Sequence, residues 1–214
     1  MSAKVRSGLT DSRARAERKM HDYSRTLVNT NSAVEIGAIF DEDGNKLADI
    51  GSGEGEHITF TDEQARMAEG STVVHWHPED LPISYGDAVA SSFMRGIWAV
   101  SSGGIYSFRW NQRMTRAEGE RYRSIFKAEH DALKERALKI RDALYPKSEL
   151  KDEDGRAKPA FRNPDGTVNR AKVDKWLEDR KNAHIGIYRD LVDKWYRNNQ
   201  TKYGFTYSST RWKK

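Results

Sequence analysis

The chain has 214 residues, 36% of them hydrophobic and 32% charged, with a net charge of +5; that length suits one principal domain with additions, or two small ones. Six Trp, nine Tyr and seven Phe exclude a chain disordered throughout, because they need burial. The absence of cysteine excludes disulfides and thiolate ligands, so any metal must be held by His and carboxylate.

No apolar run reaches the roughly 18 residues of a membrane span, and the first residues, MSAKVRSGLTDSRARAERK, lack the apolar centre of a secretory signal. The expected location is therefore the cytoplasm. The net charge hides an asymmetry. Residues 1–30 hold seven Lys/Arg against three acids, residues 31–110 four against thirteen, and residues 111–214 twenty-six against sixteen. An acidic middle is thus flanked by basic arms. They can meet nucleic acid, an anionic surface or the acidic middle itself, or can simply be solvated helix faces with i,i+4 pairing.

In chain order, residues 10–27 predict a helix with Ala14, Met20, Tyr23 and Leu27 as a weak apolar stripe, and the polar run Asn29 to Ser32 stops it. Residues 33–40, AVEIGAIF, alternate as a strand, with Val34, Ile36, Ala38 and Phe40 on one face and Glu35 on the other. Asp43-Gly44 marks a hairpin turn, and Lys46–Ile50 returns as a strand. Gly51, Gly53 and Gly55 make a loop that lacks the Lys and the frame of a phosphate loop. Thr61 to Gln64 has the form of a capping box, opening a short helix that Gly70 ends. Residues 72–77, TVVHWH, form the next strand. Ser84 to Asp87 precede a helix through about Met94, and residues 97–101 and 105–110 are strands joined at Gly103-Gly104.

From Thr115 the period becomes 3.6. Tyr122, Ile125, Phe126, Leu133, Ala137, Ile140 and Leu144 share a helix face up to Pro146. Residues 146–168 predict a mobile loop. A second helix runs from Asn169 to Asn198, with Val173, Trp176, Leu177, Ile187, Leu191 and Trp195 as its stripe. The remaining tail is aromatic and basic. The expected fold class is α+β, α/β/α-like: one mixed sheet with flanking helices. The expected organisation is an N-terminal helical arm (1–30), a central domain built on the sheet (31–112) and a basic helical extension (113–214).

His75 and His77, two apart on a strand, share a face, and Asp87 starts the following helix. Two His and one carboxylate make an open zinc site, with the fourth position left for water whose pKa zinc lowers towards about 7. Glu35 is the candidate base, chosen over Glu42, Glu54 and Glu56. Ser84 is the candidate oxyanion donor. Asp87 and Ser84 have a rival role, since Ser84-x-x-Asp87 also reads as a helix cap. His21, His57, His130 and His184 lack partners at ligand spacing.

The pattern His75-x-His77-Pro78-x5-Ser84-x-x-Asp87, with Glu35 upstream, resembles the JAMM (MPN-plus) zinc metalloprotease signature, Glu…His-x-His-Pro-x6-Ser-x-x-Asp. The likeness covers about residues 33–110, and the order of elements agrees. The Pro78–Ser84 spacing is one residue shorter than in the family, and Trp76 fills a position usually small or polar. The resemblance implies a cytidine-deaminase-like JAMM core. It also implies Zn2+ on His75, His77 and Asp87, general acid/base work by Glu35, stabilisation of the tetrahedral intermediate by Ser84, and a peptide or protein substrate. A looser similarity extends to JAMM-like modules of phage head or tail proteins and bacterial toxin systems. There a strand of the form EIG-x-x-x-D-x-x-G precedes the His-x-His-Pro turn and a final strand has the form YSF.

Two further readings stay open. The unit is a catalytically inactive scaffold whose basic helices 115–145 and 170–198 contact nucleic acid or protein. Or it is a metal enzyme acting on nucleic acid, though it lacks the clustered carboxylates of a two-metal site.

Overall fold

The computed structural model describes residues 3–51 and 58–212. The predicted Gly53–Gly55 loop, and with it Glu54, Glu56 and His57, lies outside the described residues.

Helix α1 (Ala3–Thr30) leads into the hairpin β1 (Ile36–Phe40) and β2 (Lys46–Gly51). Helix α2 (Asp62–Ala68), β3 (Thr72–Trp76), α3 (Tyr85–Ala90), β4 (Gly96–Val100) and β5 (Gly104–Trp110) follow. Helix α4 (Arg116–Leu144), the short α5 (Lys147–Leu150), α6 (Arg170–Tyr203) and β6 (Phe205–Arg211) complete the chain. The fold is mixed α+β: six strands form one sheet in the order β2-β1-β3-β4-β5-β6. Only β3 and β4 pair in parallel; the other neighbours are antiparallel. No helix among the described residues is long and apolar enough to cross a membrane.

Helix α1 packs on one sheet face rather than standing apart as an arm. Its buried stripe is Ala16, Met20, Ser24 and Leu27, so Ala16 takes the place that the sequence reading gives to Ala14. Met20 and Leu27 join Ala38, Phe40, Val74, Trp76, Val100 and Ile105 in a core cluster. Buried Ser24 is satisfied by donating to Met20 O at 2.8 Å. Asn31, at φ 46°, ends the helix by donating its N–H to Leu27 O at 3.1 Å.

The predicted Asp-Gly turn forms as expected. Asp41 Oδ1 accepts from the N–H groups of Asp43 and Asn45, and Gly44 takes φ 72°. The Thr61 capping box is present with both of its hydrogen bonds.

Three elements differ from expectation. Strand β1 begins at Ile36, so Glu35 stands at its threshold. Residues 146–168, which the sequence reads as a mobile loop, carry α5, a 3-10 turn at Pro159–Phe161 and bridges Lys151–Ala157 and Arg162–Val168. The tail is a strand. Residues 205–211 pair with β5 along its length, and Phe205 and Tyr207 are buried while Thr206 and Ser208 are exposed.

The chain divides into two compact units, residues 1–127 with 193–214, and residues 128–192. The first contains the whole sheet and includes the root of α4 and the end of α6, both of which the sequence reading places in the extension. Their aromatic residues cover the sheet face opposite α1: Tyr196 meets Phe108 with ring centroids 5.6 Å apart and Phe126 meets Trp195 at 5.1 Å. The second unit is helical. There Arg180 pairs with Asp142 and donates to Tyr145 O at 3.3 Å, while Trp176 Nε1 lies 3.4 Å from a Glu149 oxygen.

Candidate metal centre

The period of a strand decides the first feature of the site. Trp76 and the two histidines around it point to opposite faces of the sheet. Trp76 lies in the α1-facing cluster, with its Nε1 donating to Ser32 O at 2.7 Å. The bulky residue inside the His-x-His pattern is therefore core on the far side. His75 and His77 face the other way and are buried, 1% and 6% exposed.

The β1–β3 register sets Gly37 opposite His75, which carries Glu35 to the level of His77. Glu35 Oε1 lies 3.9 Å from His77 Nε2, while its Oε2 accepts the Ile58 N–H at 3.2 Å. Asp87 arrives from the first turn of α3. Its Oδ1 lies 3.3 Å from His75 Nε2 and its Oδ2 3.4 Å from His77 Nε2. The two Nε2 atoms are 2.9 Å apart.

Asp87 is a helix cap as well as a member of this cluster. Its Oδ2 accepts the Ser84 N–H at 2.8 Å, and Ser84 Oγ accepts the Asp87 N–H at 3.0 Å, completing a capping box. The cap aims the carboxylate at the histidines. Ser84 Oγ is thus spent as an acceptor on the helix, which leaves its hydroxyl proton free to donate. The Ser84 carbonyl accepts from Tyr196 OH at 3.2 Å.

The tautomer of His77 follows from its partner. A backbone carbonyl can only accept, and Leu81 O lies 3.1 Å from His77 Nδ1. In the neutral ring the proton therefore sits on Nδ1, and Nε2 faces the cluster. Among the described residues, His75 Nδ1 has no hydrogen-bond partner.

Electrostatics match this convergence. Burial pushes the His77 pKa down, but hydrogen bonding and charge from Asp87, the charge of Glu35 and the Leu81 carbonyl outweigh it and hold the pKa above the ordinary histidine value. Burial pushes Asp87 up, yet His75 and then His77 hold it well below the usual carboxylate range.

Two imidazole nitrogens and a carboxylate facing one point repel one another unless a proton or a cation lies between them. Among the described residues, His75, His77 and Asp87 are the group able to hold a metal ion, with ligand atoms all within 4.8 Å of one another. The other described histidines have different surroundings. His21 packs edge-on against Trp98, Tyr188 OH lies 3.3 Å from His130 Nδ1, and His184 stacks on Tyr188.

The Leu81 carbonyl is a partner that sequence reasoning misses, because a backbone atom leaves no residue-type signal. Set against protein-family profiles, curated proteins and solved structures, the chain matches none.

Proposed function

We propose that this chain is a zinc-dependent hydrolase of the JAMM type, with a cytidine-deaminase-like core, acting on peptide or isopeptide bonds. The observation that carries the reading is the convergence of His75, His77 and Asp87 with the Glu35 carboxylate beside them. The donor set of two imidazoles and one carboxylate suits zinc and leaves a position open. Ligand atoms at the corners of a tetrahedron with bonds of about 2.0–2.1 Å lie about 3.3 Å apart; here the two Nε2 atoms are 2.9 Å apart, and each lies 3.3 or 3.4 Å from a different oxygen of Asp87.

When bound, zinc supplies Lewis acidity at the scissile carbonyl and lowers the pKa of water to about 7. The protein supplies the rest. Glu35 takes the proton of the attacking water and delivers it to the leaving nitrogen, and the Ile58 N–H keeps one of its oxygens in place. Ser84 donates its hydroxyl proton to the oxyanion. The capping box holds Asp87 with its carboxylate facing both imidazoles.

The test pairs metal content with turnover. The purified parent protein carries about one zinc per chain and cleaves members of a peptide and isopeptide panel. His75→Ala/His77→Ala loses the metal. Glu35→Gln keeps the metal and loses about 10²–10⁴ in rate. A parent protein that binds no zinc, or Glu35→Gln with full activity, sinks the reading.

A second reading, a binding or virion-structural protein that keeps this unit as a scaffold, draws on the basic excess of residues 111–214. It predicts nucleic-acid binding that weakens steeply with salt and is indifferent to Glu35→Gln.

A further inference from the structure

The loop Pro78–Ile83 leaves the sheet at His77, whose N–H donates to Val100 O at 2.7 Å, and turns tightly where Leu81 N–H donates to Glu79 O at 2.7 Å. It comes back to the site through the Leu81 carbonyl on His77 Nδ1. Asp80 ties this loop to the sheet. Its Oδ1 accepts from Ser101 Oγ at 2.6 Å and from Tyr106 OH at 3.4 Å, and Arg211 Nη1 lies 3.7 Å away.

These partners are themselves fixed. Arg211 donates to Tyr106 OH at 2.6 Å and sits over the Tyr106 ring, 5.4 Å from its centroid. Its place comes from the Gly104↔Arg211 pairing of β5 with β6. Trp212, the next residue, donates from Nε1 to Ser101 O at 2.8 Å. The room for the carboxylate comes from Gly103: a Cβ there would stand 2.3 Å from Asp80 Oδ1.

We infer that Asp80 is a positioning residue for His77. It anchors the loop so that the Leu81 carbonyl holds the His77 Nδ1–H and keeps Nε2 turned towards His75 and Asp87, where it would be a ligand to a bound metal. The anchor reaches the site from the last strand of the sheet, far away in sequence. Outer partners of this kind fix a ligand's tautomer and ring orientation, and their loss typically costs roughly 10–100-fold in metal affinity. The affinity consequence rests on the zinc reading; the tautomer consequence rests on the hydrogen bonds alone and applies to the metal-free protein.

The experiment uses Asp80→Ala, Asp80→Asn, Gly103→Ala and Ser101→Ala in the full chain. Gly103→Ala displaces the carboxylate without altering charge, and Asp80→Asn keeps the accepting oxygen. Zinc affinity, measured by chelator competition, falls roughly 10–100-fold in Asp80→Ala and Gly103→Ala, falls less in Ser101→Ala and stays near the parent value in Asp80→Asn. In the metal-free protein, a slowly exchanging His77 Nδ1–H is seen by nitrogen-edited NMR in the parent and in Asp80→Asn. It is lost in Asp80→Ala and Gly103→Ala, while cooperative thermal unfolding persists.

Parent-like affinity together with a retained ring proton in Gly103→Ala and Ser101→Ala overturns the inference, even if Asp80→Ala fails to fold. If the parent binds no zinc, the hydrolase reading fails, and the ring proton still decides the role of Asp80.

Discussion

Gly37 lies directly across from His75 in the antiparallel β1–β3 pair, and a Cβ at Gly37 would stand 2.8 Å from His75 Cβ and 2.3 Å from Val74 O. The bare backbone lets the two strands close, and that closeness brings Glu35 over His77. Gly37→Ala must part the strands, a packing strain of about 1–3 kcal/mol. On the proposed hydrolase reading, zinc content persists because His75, His77 and Asp87 all lie off β1, whereas turnover falls by about 10²-fold as Glu35 moves away. Calorimetric unfolding, metal analysis and kinetics read the three effects separately; loss of metal in step with activity would refute the division of labour.

The capping box and the proposed ligand set share Asp87, and two variants pull them apart. Ser84→Ala removes the acceptor for the Asp87 N–H and costs about 1 kcal/mol of stability, with the metal kept. Asp87→Asn retains a carbonyl oxygen for the Ser84 N–H but removes the charge between the imidazoles, so the metal is lost while the helix survives. Circular dichroism with metal analysis checks this, and equal metal loss in both variants would contradict it.

Trp76 separates core from chemistry. Trp76→Phe leaves the Ser32 carbonyl without its indole donor, a loss of about 1–3 kcal/mol, while zinc content and turnover stay at parent levels. A Trp76→Phe protein that is stable yet metal-free would place the side chain on the wrong face.

Asp193 joins the end of α6 to β6, accepting from Tyr207 OH at 2.8 Å and Arg197 Nε at 2.9 Å. Burial pushes its pKa up, but hydrogen bonds from Ser209, Arg197 and Tyr207 outweigh this and hold it below the usual carboxylate value. A lowered folded-state pKa stabilises the protein above the unfolded value, and that stabilisation drains away as pH falls through the folded one. The melting temperature of the parent therefore drops between about pH 5 and pH 2, and Asp193→Asn starts lower at neutral pH and loses less over the same span. Parallel curves for the two proteins would show that Asp193 is not a source of this acid sensitivity.

The elements of the sheet face were largely legible because their signals are local. Strand alternation in TVVHWH puts His75 and His77 on one face, Ser84 and Asp87 carry a cap at its usual spacing, and the Asp-Gly turn closes its hairpin. The strand at Phe205–Arg211 was missed although Phe205 and Tyr207 alternate with Thr206 and Ser208. It is rich in Ser and Thr, and becomes a strand by pairing with β5 about a hundred residues earlier.

From the sequence alone came the candidate ligand types, the shared face of the histidines and the helix start that offers Asp87, since each depends on the period of a single segment. Tertiary structure decided that Glu35 meets His77, that the Leu81 carbonyl selects the His77 tautomer, and that Arg211 and Ser101 hold the loop through Asp80. Those relations depend on strand register and on contacts between distant segments. Such contacts are set by which surfaces bury together, a property that no one segment carries.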